Sequence, residues 1–130
     1  RLATMARGLE AIGVMVEERE YGLVITGNGG APLRGGGPVA TLLDHRIAMS
    51  FAVAGLVSAD GVEVDDTRPI ATSFPVFEAL LELDHALLLE ARGEFARAEA
   101  LLLRVLTSTQ PAALQRWFCT RPMTWRPNTK

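Results

Sequence analysis

The sequence predicts a mixed fold of α/β or α+β layers, because helical and strand patterns alternate along its first eighty or so residues. Apolar residues recur at helical spacing in residues 2–9. Two short segments with strand character follow at residues 14–17 and 22–25, and we expect them to pair as a hairpin. A helical run begins at Asp44 and leads to a strand pattern at residues 62–64. The sequence has no G-x-G-x-x-G motif, so a Rossmann fold has no support.

Glycine, proline and aspartate mark the ends of these elements. Residues 27–37 are rich in glycine and are predicted to form a loop. We interpret this loop as a plain connection, since it lacks the G-x-x-x-x-G-K pattern of phosphate-binding loops. Asp44 is a suitable N-cap for the next helix, whose apolar residues on nearly all sides predict burial. Ser73 and Pro75 predict the start of a further helix, which holds Phe77.

Composition argues against several classes of function. The chain has 130 residues and a net charge of −2, which disfavours a nucleic-acid-binding protein. Cys119 is the single cysteine and has no partner for an internal disulfide. The sequence shows neither a signal-peptide pattern nor an apolar run of membrane-spanning length. We therefore expect a cytoplasmic protein that binds no membrane, no metal and no cofactor, and His85 and Cys119 lack companions that suggest a site.

Charge and pattern both change near Leu81. Residues 1–81 carry ten acidic side chains and six arginines, whereas residues 82–130 carry five acidic and seven basic side chains. Residues 83–106 have a strongly helical pattern with a break at Gly93, and the remainder has no clear period. We therefore predict a first domain of residues 1–81 and a helical extension of residues 82–130.

The sharpest candidate site is the sequence Asp44-His45-Arg46 at the start of a helix. A helix N-terminus offers unpaired N–H groups, a guanidinium matches a carboxylate or phosphate, and a histidine adds a donor. A small doubly anionic ligand would suit such a site. The residue pattern alone favours a structural alternative, in which Asp44 caps the helix, Arg46 pairs with Asp44 or with a neighbouring residue, and His45 lies on the surface. Asp65 and Asp66 are interpreted as turn residues, since neighbours in a strand point to opposite faces.

Four segments in register resemble one enzyme family. Residues 43–51, L-D-H-R-I-A-M-S-F, resemble the D-H-R-[IM]-A-M signature of the 5-enolpyruvylshikimate-3-phosphate synthases. Residues 1–9, R-L-A-T-M-A-R-G-L, resemble the segment that follows K-E-S-D in that family. The sequences V-D-D at residues 64–66 and I-A-T-S-F-P at residues 70–75 resemble its closing strand and helix, in the form known from glyphosate-tolerant members. Order and separations also match.

The resemblance implies a transferase of the shikimate pathway, which moves the enolpyruvyl group of phosphoenolpyruvate to shikimate 3-phosphate on the way to chorismate and the aromatic amino acids. It implies a domain of repeated β/α units, an active-site cleft between two domains, no cofactor and a monomeric parent enzyme. Arg46 matches an arginine that binds phosphoenolpyruvate, and Arg1 matches the arginine that closes K-E-S-D-R. Thr72 stands where many members carry a lysine, and no role is assigned to it. The family's catalytic residues have no counterpart here, so we expect a C-terminal fragment that is inactive alone.

Residues 82–130 do not resemble that family. Residues 93–98, G-E-F-A-R-A, resemble the second half of a tetratricopeptide repeat, which needs neighbouring repeats for stability. A plain amphipathic extension and a shifted reading frame are the other interpretations, and together they are favoured over a working repeat. A different class of function also stays open, namely a non-catalytic protein-binding module that combines an enolpyruvyl-transferase-like scaffold with the helical tail.

Overall fold

The computed structural model describes residues 1–108 and confirms the mixed helix-and-strand fold. Within this part of the chain there are two two-stranded sheets, which pair the first strand with the second and the third with the fourth. The elements in chain order are α1 (Leu2–Ala11), β1 (Val16–Arg19), β2 (Gly22–Ile25), β3 (Pro38–Val39), α2 (His45–Gly55), β4 (Glu63–Val64), α3 (Arg68–Ser73), α4 (Phe77–Ala91) and α5 (Phe95–Ser108).

The predicted hairpin is confirmed. Strands β1 and β2 run antiparallel, with Val16 opposite Ile25 and Arg19 opposite Gly22. Two residues therefore connect the strands, which is the shortest common hairpin connection. The first strand begins at Val16 rather than at Val14, because the N–H of Val14 donates to the Leu9 carbonyl and continues the end of α1.

Strands β3 and β4 are parallel, and α2 is the crossover between them. Val39 lies opposite Val64 in this pair. Strand β3 was not predicted, because two residues are too few to show an alternating pattern and one of them is Pro38, a residue that strands usually exclude. Parallel pairing brings the residues that follow β3 and β4 to the same edge, where α2 also begins.

The hydrophobic core lies where α1, α2 and this strand pair meet. Phe51 of α2 is 1% exposed, and the side chains of Ile12, Val39 and Ile47 form a buried cluster with it. Gly8 of α1 lies directly against the Phe51 ring, because a Cβ built at Gly8 would be 2.3 Å from Phe51 Cζ. Only a residue without a side chain permits this approach of α1 to α2.

The prediction that α2 is buried nearly all round is wrong. Ile47, Ala48 and Phe51 are buried, but Val53 is half-exposed and Ser50 is exposed. The apolar side chains of α2 therefore serve one packed face, and the opposite face of the helix remains accessible.

The glycine-rich loop at residues 27–37 is a connection, as predicted. Gly35 has a φ of +76°, and a Cβ there would be 2.2 Å from the Gly61 carbonyl oxygen. The N–H of Gly35 donates to the Ile12 carbonyl and the N–H of Gly36 donates to the Gly61 carbonyl. Because these N–H groups are engaged by the backbone, they are not directed at a phosphate.

The helix predicted to start at Ser73 is wrong in its boundary. Helix α3 ends at Ser73, and a separate helix α4 begins at Phe77. Pro75 explains the break, because proline disfavours helical geometry in the residue before it, and Phe74 has φ −146° and ψ 77°. The rings of Phe74 and Phe77 pack across the break with centroids 5.9 Å apart.

The chain divides into two units, of which the first is Arg1–Leu81 and the second begins at Glu82. In the described part of the second unit, α5 follows α4 after a corner at Gly93, where φ is +78°, so the predicted helical break is confirmed. Arg104 Nη2 lies 2.6 Å from Glu82 Oε1, which makes these helical segments antiparallel neighbours. The buried residues here are Leu83, Ala86, Leu89, Ala98 and Val105.

This helix pair is compatible with a tetratricopeptide-like unit and with a plain extension, so the role of residues 82–130 stays a prediction. The interpretations that concern Cys119 and the irregular C-terminal stretch fall on residues that the structure does not describe. Among residues 1–108, no helix combines the length and apolar character that a membrane crossing requires.

Candidate functional site

Asp44 caps the N-terminus of α2, as the sequence predicts. Its backbone is extended, and its Oδ1 accepts a hydrogen bond of 2.9 Å from the N–H of Arg46. A carboxylate in this position satisfies a helix N–H that has no partner within the helix. The cap fixes the direction in which the first turn of α2 presents its side chains.

Arg1 and Arg46 converge on the carboxylate of Asp44. Arg1 Nε lies 2.9 Å from Asp44 Oδ2, and Arg46 Nε lies 3.2 Å from Asp44 Oδ1. Arg46 Nη2 lies a further 3.3 Å from Asp44 Oδ2. The two arginines are 45 positions apart in the sequence, so it is the packing of α1 against α2 that brings them together. The structural alternative, in which Arg46 pairs with Asp44, is therefore what these contacts show.

The same geometry leaves the outer side of this cluster open to an anion. The Arg1 and Arg46 side chains are 63% and 53% exposed, whereas Asp44 is only 19% exposed. Two guanidiniums and one carboxylate carry a net charge of +1, and the α2 N-terminus adds partial positive charge. The hydrogen bonds to Asp44 use Nε of both arginines and Nη2 of Arg46. Nη1 of both arginines and Nη2 of Arg1 make no hydrogen bond to a described residue. These outward donors suit a ligand with carboxylate or phosphate oxygens.

Asp44 stays ionised over the physiological pH range. The side-chain hydrogen bond from Arg46 holds the pKa of this carboxyl well below its usual range, and the backbone N–H of Arg46 and the side chain of Arg1 act in the same direction. Partial desolvation opposes these effects but is outweighed by them. Asp44 is therefore an anionic anchor for the two arginines at physiological pH.

We expect the stability of the chain to fall with acid, and Asp44→Asn to weaken this dependence. A carboxyl with a lowered folded-state pKa stabilises the fold above its unfolded pKa, near 3.9, and this contribution is lost as pH falls toward the folded value. Asparagine keeps the cap but does not titrate. Urea unfolding followed by circular dichroism at pH values from 7 to about 3 measures the effect, with Asp60→Asn as the charge-matched control. Equal acid dependence in the wild type and Asp44→Asn would contradict the assignment.

Thr41 and Asp65 belong to the same edge, and sequence reasoning missed their connection. Thr41 is fully buried, and its N–H and Oγ1 both donate to Asp65 Oδ1, at 2.9 and 2.7 Å. These hydrogen bonds, chiefly the one from the Thr41 side chain, lower the pKa of Asp65. Asp65 follows β4 and Thr41 lies two residues after β3. Recognition of the parallel pairing of β3 with β4 would have placed Thr41 next to Asp65.

Of the remaining sequence candidates, Asp66 makes side-chain hydrogen bonds, whereas His45 and Thr72 do not do so within the described residues. Asp66 accepts from the backbone N–H and the side chain of Arg68 at the start of α3, which agrees with its interpretation as a turn residue. His45 is half-buried and makes no side-chain hydrogen bond to a described residue. Thr72 is exposed on α3. Within residues 1–108, no three histidine, cysteine, aspartate or glutamate side chains cluster as a metal site would require.

An open apolar hollow lies along the exposed face of α2, beyond Arg46. It is lined by Met49, Ser50 and Val53 of α2 and by Phe74 and Phe77. Residues 46, 49, 50 and 53 share one helical face. The hollow contains no charged side chain, so an anionic ligand is better served by the arginine cluster at the helix N-terminus.

Comparison with known proteins identifies the family. The family model for EPSP synthase (3-phosphoshikimate 1-carboxyvinyltransferase) matches residues 1–81. The chain belongs to the EPSP synthase family. Two relatives named 3-phosphoshikimate 1-carboxyvinyltransferase are 67% identical over 81 residues, from Sphingopyxis alaskensis, and 62% identical over 85 residues, from Novosphingobium aromaticivorans. The resemblance drawn from the four sequence segments is thereby confirmed.

The structural comparison agrees with this family assignment. The chain superposes on an EPSP synthase from Acinetobacter baumannii with a TM-score of 0.58 and 38% sequence identity, over 61% of this chain and 19% of that one. The two relatives match 62% and 63% of this chain, but the chain spans only 18% and 19% of their lengths. Residues 1–81 therefore correspond to part of an EPSP synthase. These comparisons do not favour the alternative of a non-catalytic binding module.

Proposed function

We propose that residues 1–81 provide the phosphoenolpyruvate-binding wall of a 3-phosphoshikimate 1-carboxyvinyltransferase, with Arg1 and Arg46 as the residues that bind this substrate. The observation that carries the proposal is the convergence of both guanidiniums on Asp44 at the N-terminus of α2. The relatives' name supports the reaction class, which is transfer of a carboxyvinyl group to 3-phosphoshikimate. The pathway is then the shikimate pathway to chorismate and the aromatic amino acids.

The chemistry of phosphoenolpyruvate matches the cluster. The substrate has a carboxylate and a phosphate on one small enol unit, and each of these groups accepts paired hydrogen bonds from a guanidinium. The side chain of Arg46 donates two hydrogen bonds to Asp44, and the backbone N–H of Arg46 donates a third. Its side chain therefore needs little ordering when the ligand binds, which favours affinity. Arg1 approaches from α1 and supplies the second cation.

The second substrate, shikimate 3-phosphate, is assigned to the much larger part of the relatives that this chain does not span. Reaction between two substrates requires both to be held in the right orientation, and orientation accounts for a large share of the rate enhancement. We therefore expect the purified chain to show no turnover of shikimate 3-phosphate. The cytoplasmic location and the monomeric state of a complete enzyme stay predictions.

Titration calorimetry with phosphoenolpyruvate tests the proposed binding role. We expect Arg46→Lys to weaken binding by roughly tenfold or more, because lysine cannot reproduce the planar fork that contacts two oxygens. Arg19→Lys is the matched control, since Arg19 is 61% exposed and also pairs with a carboxylate, that of Glu17. Equal affinities in wild type and Arg46→Lys, or an equal loss in Arg19→Lys, would overturn the proposal.

A further inference from the structure

We propose that Asp65 and Thr41 are positioning residues that hold the turn at residues 41–44 in a left-handed conformation, and thereby keep Asp44 between the two arginines. The inference rests on the proposed phosphoenolpyruvate site and deepens it. The side chains of Arg1 and Arg46 donate to Asp44, whereas those of Thr41 and Asp65 are hydrogen-bonded to each other. Their influence on the ligand therefore passes through Asp44.

The turn before α2 has a conformation that its sequence disfavours. The N–H of Asp44 donates to the carbonyl of Thr41 at 3.0 Å, which closes a four-residue turn. Its two central residues, Leu42 and Leu43, have φ values of 52° and 62°. A turn with positive φ at both central positions normally contains glycine, asparagine or aspartate, because the Cβ of other residues crowds the backbone. Leu42 and Leu43 are the non-glycine residues with positive φ in the described part of the chain.

Packing of the two leucines does not explain this conformation. Leu42 and Leu43 are 70% and 67% exposed, so neither gains much burial from its position. Backbone strain persists only where surrounding structure imposes it. After the two leucines, the chain is held by Asp44, which caps α2. Before them, the chain is held by Thr41 through its hydrogen bonds to Asp65.

Thr41 is anchored chiefly by two hydrogen bonds to one oxygen of Asp65, and its Oγ1 lies a further 3.5 Å from the Asp66 carbonyl oxygen. Its N–H and Oγ1 both donate to Asp65 Oδ1, and the side chain is fully buried. Asp65 is itself fixed, because its N–H donates to the Val39 carbonyl at 3.1 Å and continues the parallel pairing of β3 with β4. Because Thr41 donates two hydrogen bonds to this carboxylate, both the position and the orientation of Thr41 are fixed. The carbonyl of Thr41 is thereby placed to accept from Asp44.

Thr41 can affect the arginine cluster because it lies close to Asp44 in the sequence. Asp44 is three residues after Thr41, and its carboxylate is the shared partner of Arg1 and Arg46. If Thr41 is released, Leu42 and Leu43 can relax to negative φ, and Asp44 is then free to leave its place between the guanidiniums. The fraction of molecules with a competent site falls, and the apparent affinity falls by the same factor.

A double-mutant cycle on phosphoenolpyruvate binding tests this coupling. We expect Asp65→Ala to weaken binding by roughly tenfold in the wild-type background. In a chain that carries Leu42→Gly and Leu43→Gly, the same substitution should have little effect, because glycine adopts positive φ without strain. Glu63→Ala, which removes the same charge two residues away, is the matched control and should leave the affinity unchanged. Asp65→Asn, which keeps the acceptor oxygen, should retain most of the affinity.

The cycle separates a positioning role from a merely structural one. A loss in Asp65→Ala that is the same in the leucine and glycine backgrounds would overturn the proposal, as would unchanged affinity in Asp65→Ala. If Asp65→Ala does not fold, Thr41→Val replaces it in the cycle, since valine has nearly the shape of threonine but lacks the hydroxyl. Thr41→Ser, which keeps the hydroxyl, is then the conservative variant.

A second measurement tests this proposal without any ligand. Residues with positive φ give a strong nuclear Overhauser effect between their own Hα and HN, and residues with negative φ give a weak one. We expect strong effects at Leu42 and Leu43 in the wild type and weak effects in Asp65→Ala or Thr41→Val. If the wild type fails to bind phosphoenolpyruvate, the proposed function fails while this result still decides the inference. Strong effects that persist in both variants would overturn it.

Discussion

Replacement of Phe51 by alanine is expected to lower the free energy of unfolding of residues 1–81 by about 3–5 kcal/mol. Phe51 is 1% exposed and packs with Ile12, Val39 and Ile47 at the centre of the core. The substitution removes buried apolar surface and leaves a cavity that rigid neighbours fill only in part. Since the free energy of unfolding of a domain is only about 5–15 kcal/mol, this loss removes a large part of the stability of residues 1–81.

Unfolding in urea, followed by far-ultraviolet circular dichroism and by the amide signals of residues 1–81, measures this loss. Tryptophan fluorescence is unsuitable because Trp117 and Trp125 both lie in the last part of the chain. Val53→Ala is the matched control, because Val53 is on the same helix but is 50% exposed. Its effect should stay within about 0.5 kcal/mol. A loss in Phe51→Ala no larger than that in Val53→Ala would show that the core is not centred on Phe51.

Gly8→Ala should be destabilising although alanine is the better helix former. The added Cβ would lie 2.3 Å from Phe51 Cζ and 2.5 Å from Phe51 Cε2, so α1 or the ring must shift. Overpacking of this kind costs about 1–3 kcal/mol, and the intrinsic helical gain of alanine over glycine offsets only about 1 kcal/mol. Because Arg1 directly precedes α1 and Arg46 lies in α2, the same shift should separate the arginines and weaken phosphoenolpyruvate binding.

The cause of the Gly8→Ala effect can be isolated by a compensating change. Phe51→Leu shortens the side chain that meets the new methyl group, so we expect Gly8→Ala to cost less in a Phe51→Leu background. Gly27→Ala is the control, since a Cβ at Gly27 has no heavy atom within 4 Å and needs no left-handed backbone. An equal cost of Gly8→Ala in both backgrounds would show that contact with residue 51 is not responsible.

Local patterns predicted the parts of the fold that depend on neighbouring residues. The spacing in residues 2–9 indicated α1, the alternation around Val16 indicated the hairpin, and the aspartate before an apolar run indicated the cap of α2. Each of these features arises from contacts within a few positions. The break at Gly93 is of the same kind, since glycine adopts the positive φ that the corner requires.

Features that depend on distant contacts could not be predicted in this way. Thr41 and Asp65 are 24 positions apart and meet through a strand pair only two residues long. Positive φ at Leu42 runs against the preference of leucine, so no local rule indicates it. The family resemblance indicated Arg1 and Arg46 as candidate binding residues. Their common contact with Asp44, however, depends on the close approach of α1 to α2 that Gly8 permits.

The most direct test of the proposed site is a titration of the chain with phosphoenolpyruvate while the Nε–Hε signals of all arginines are followed by nuclear magnetic resonance. We predict that the signals of Arg1 and Arg46 shift together and give one dissociation constant, because both guanidiniums contact the same ligand. Signals of Arg19 and Arg34 should not change. Unchanged signals of Arg1 and Arg46, or equal shifts of all arginines in proportion to anion concentration, would contradict a phosphoenolpyruvate site at the N-terminus of α2.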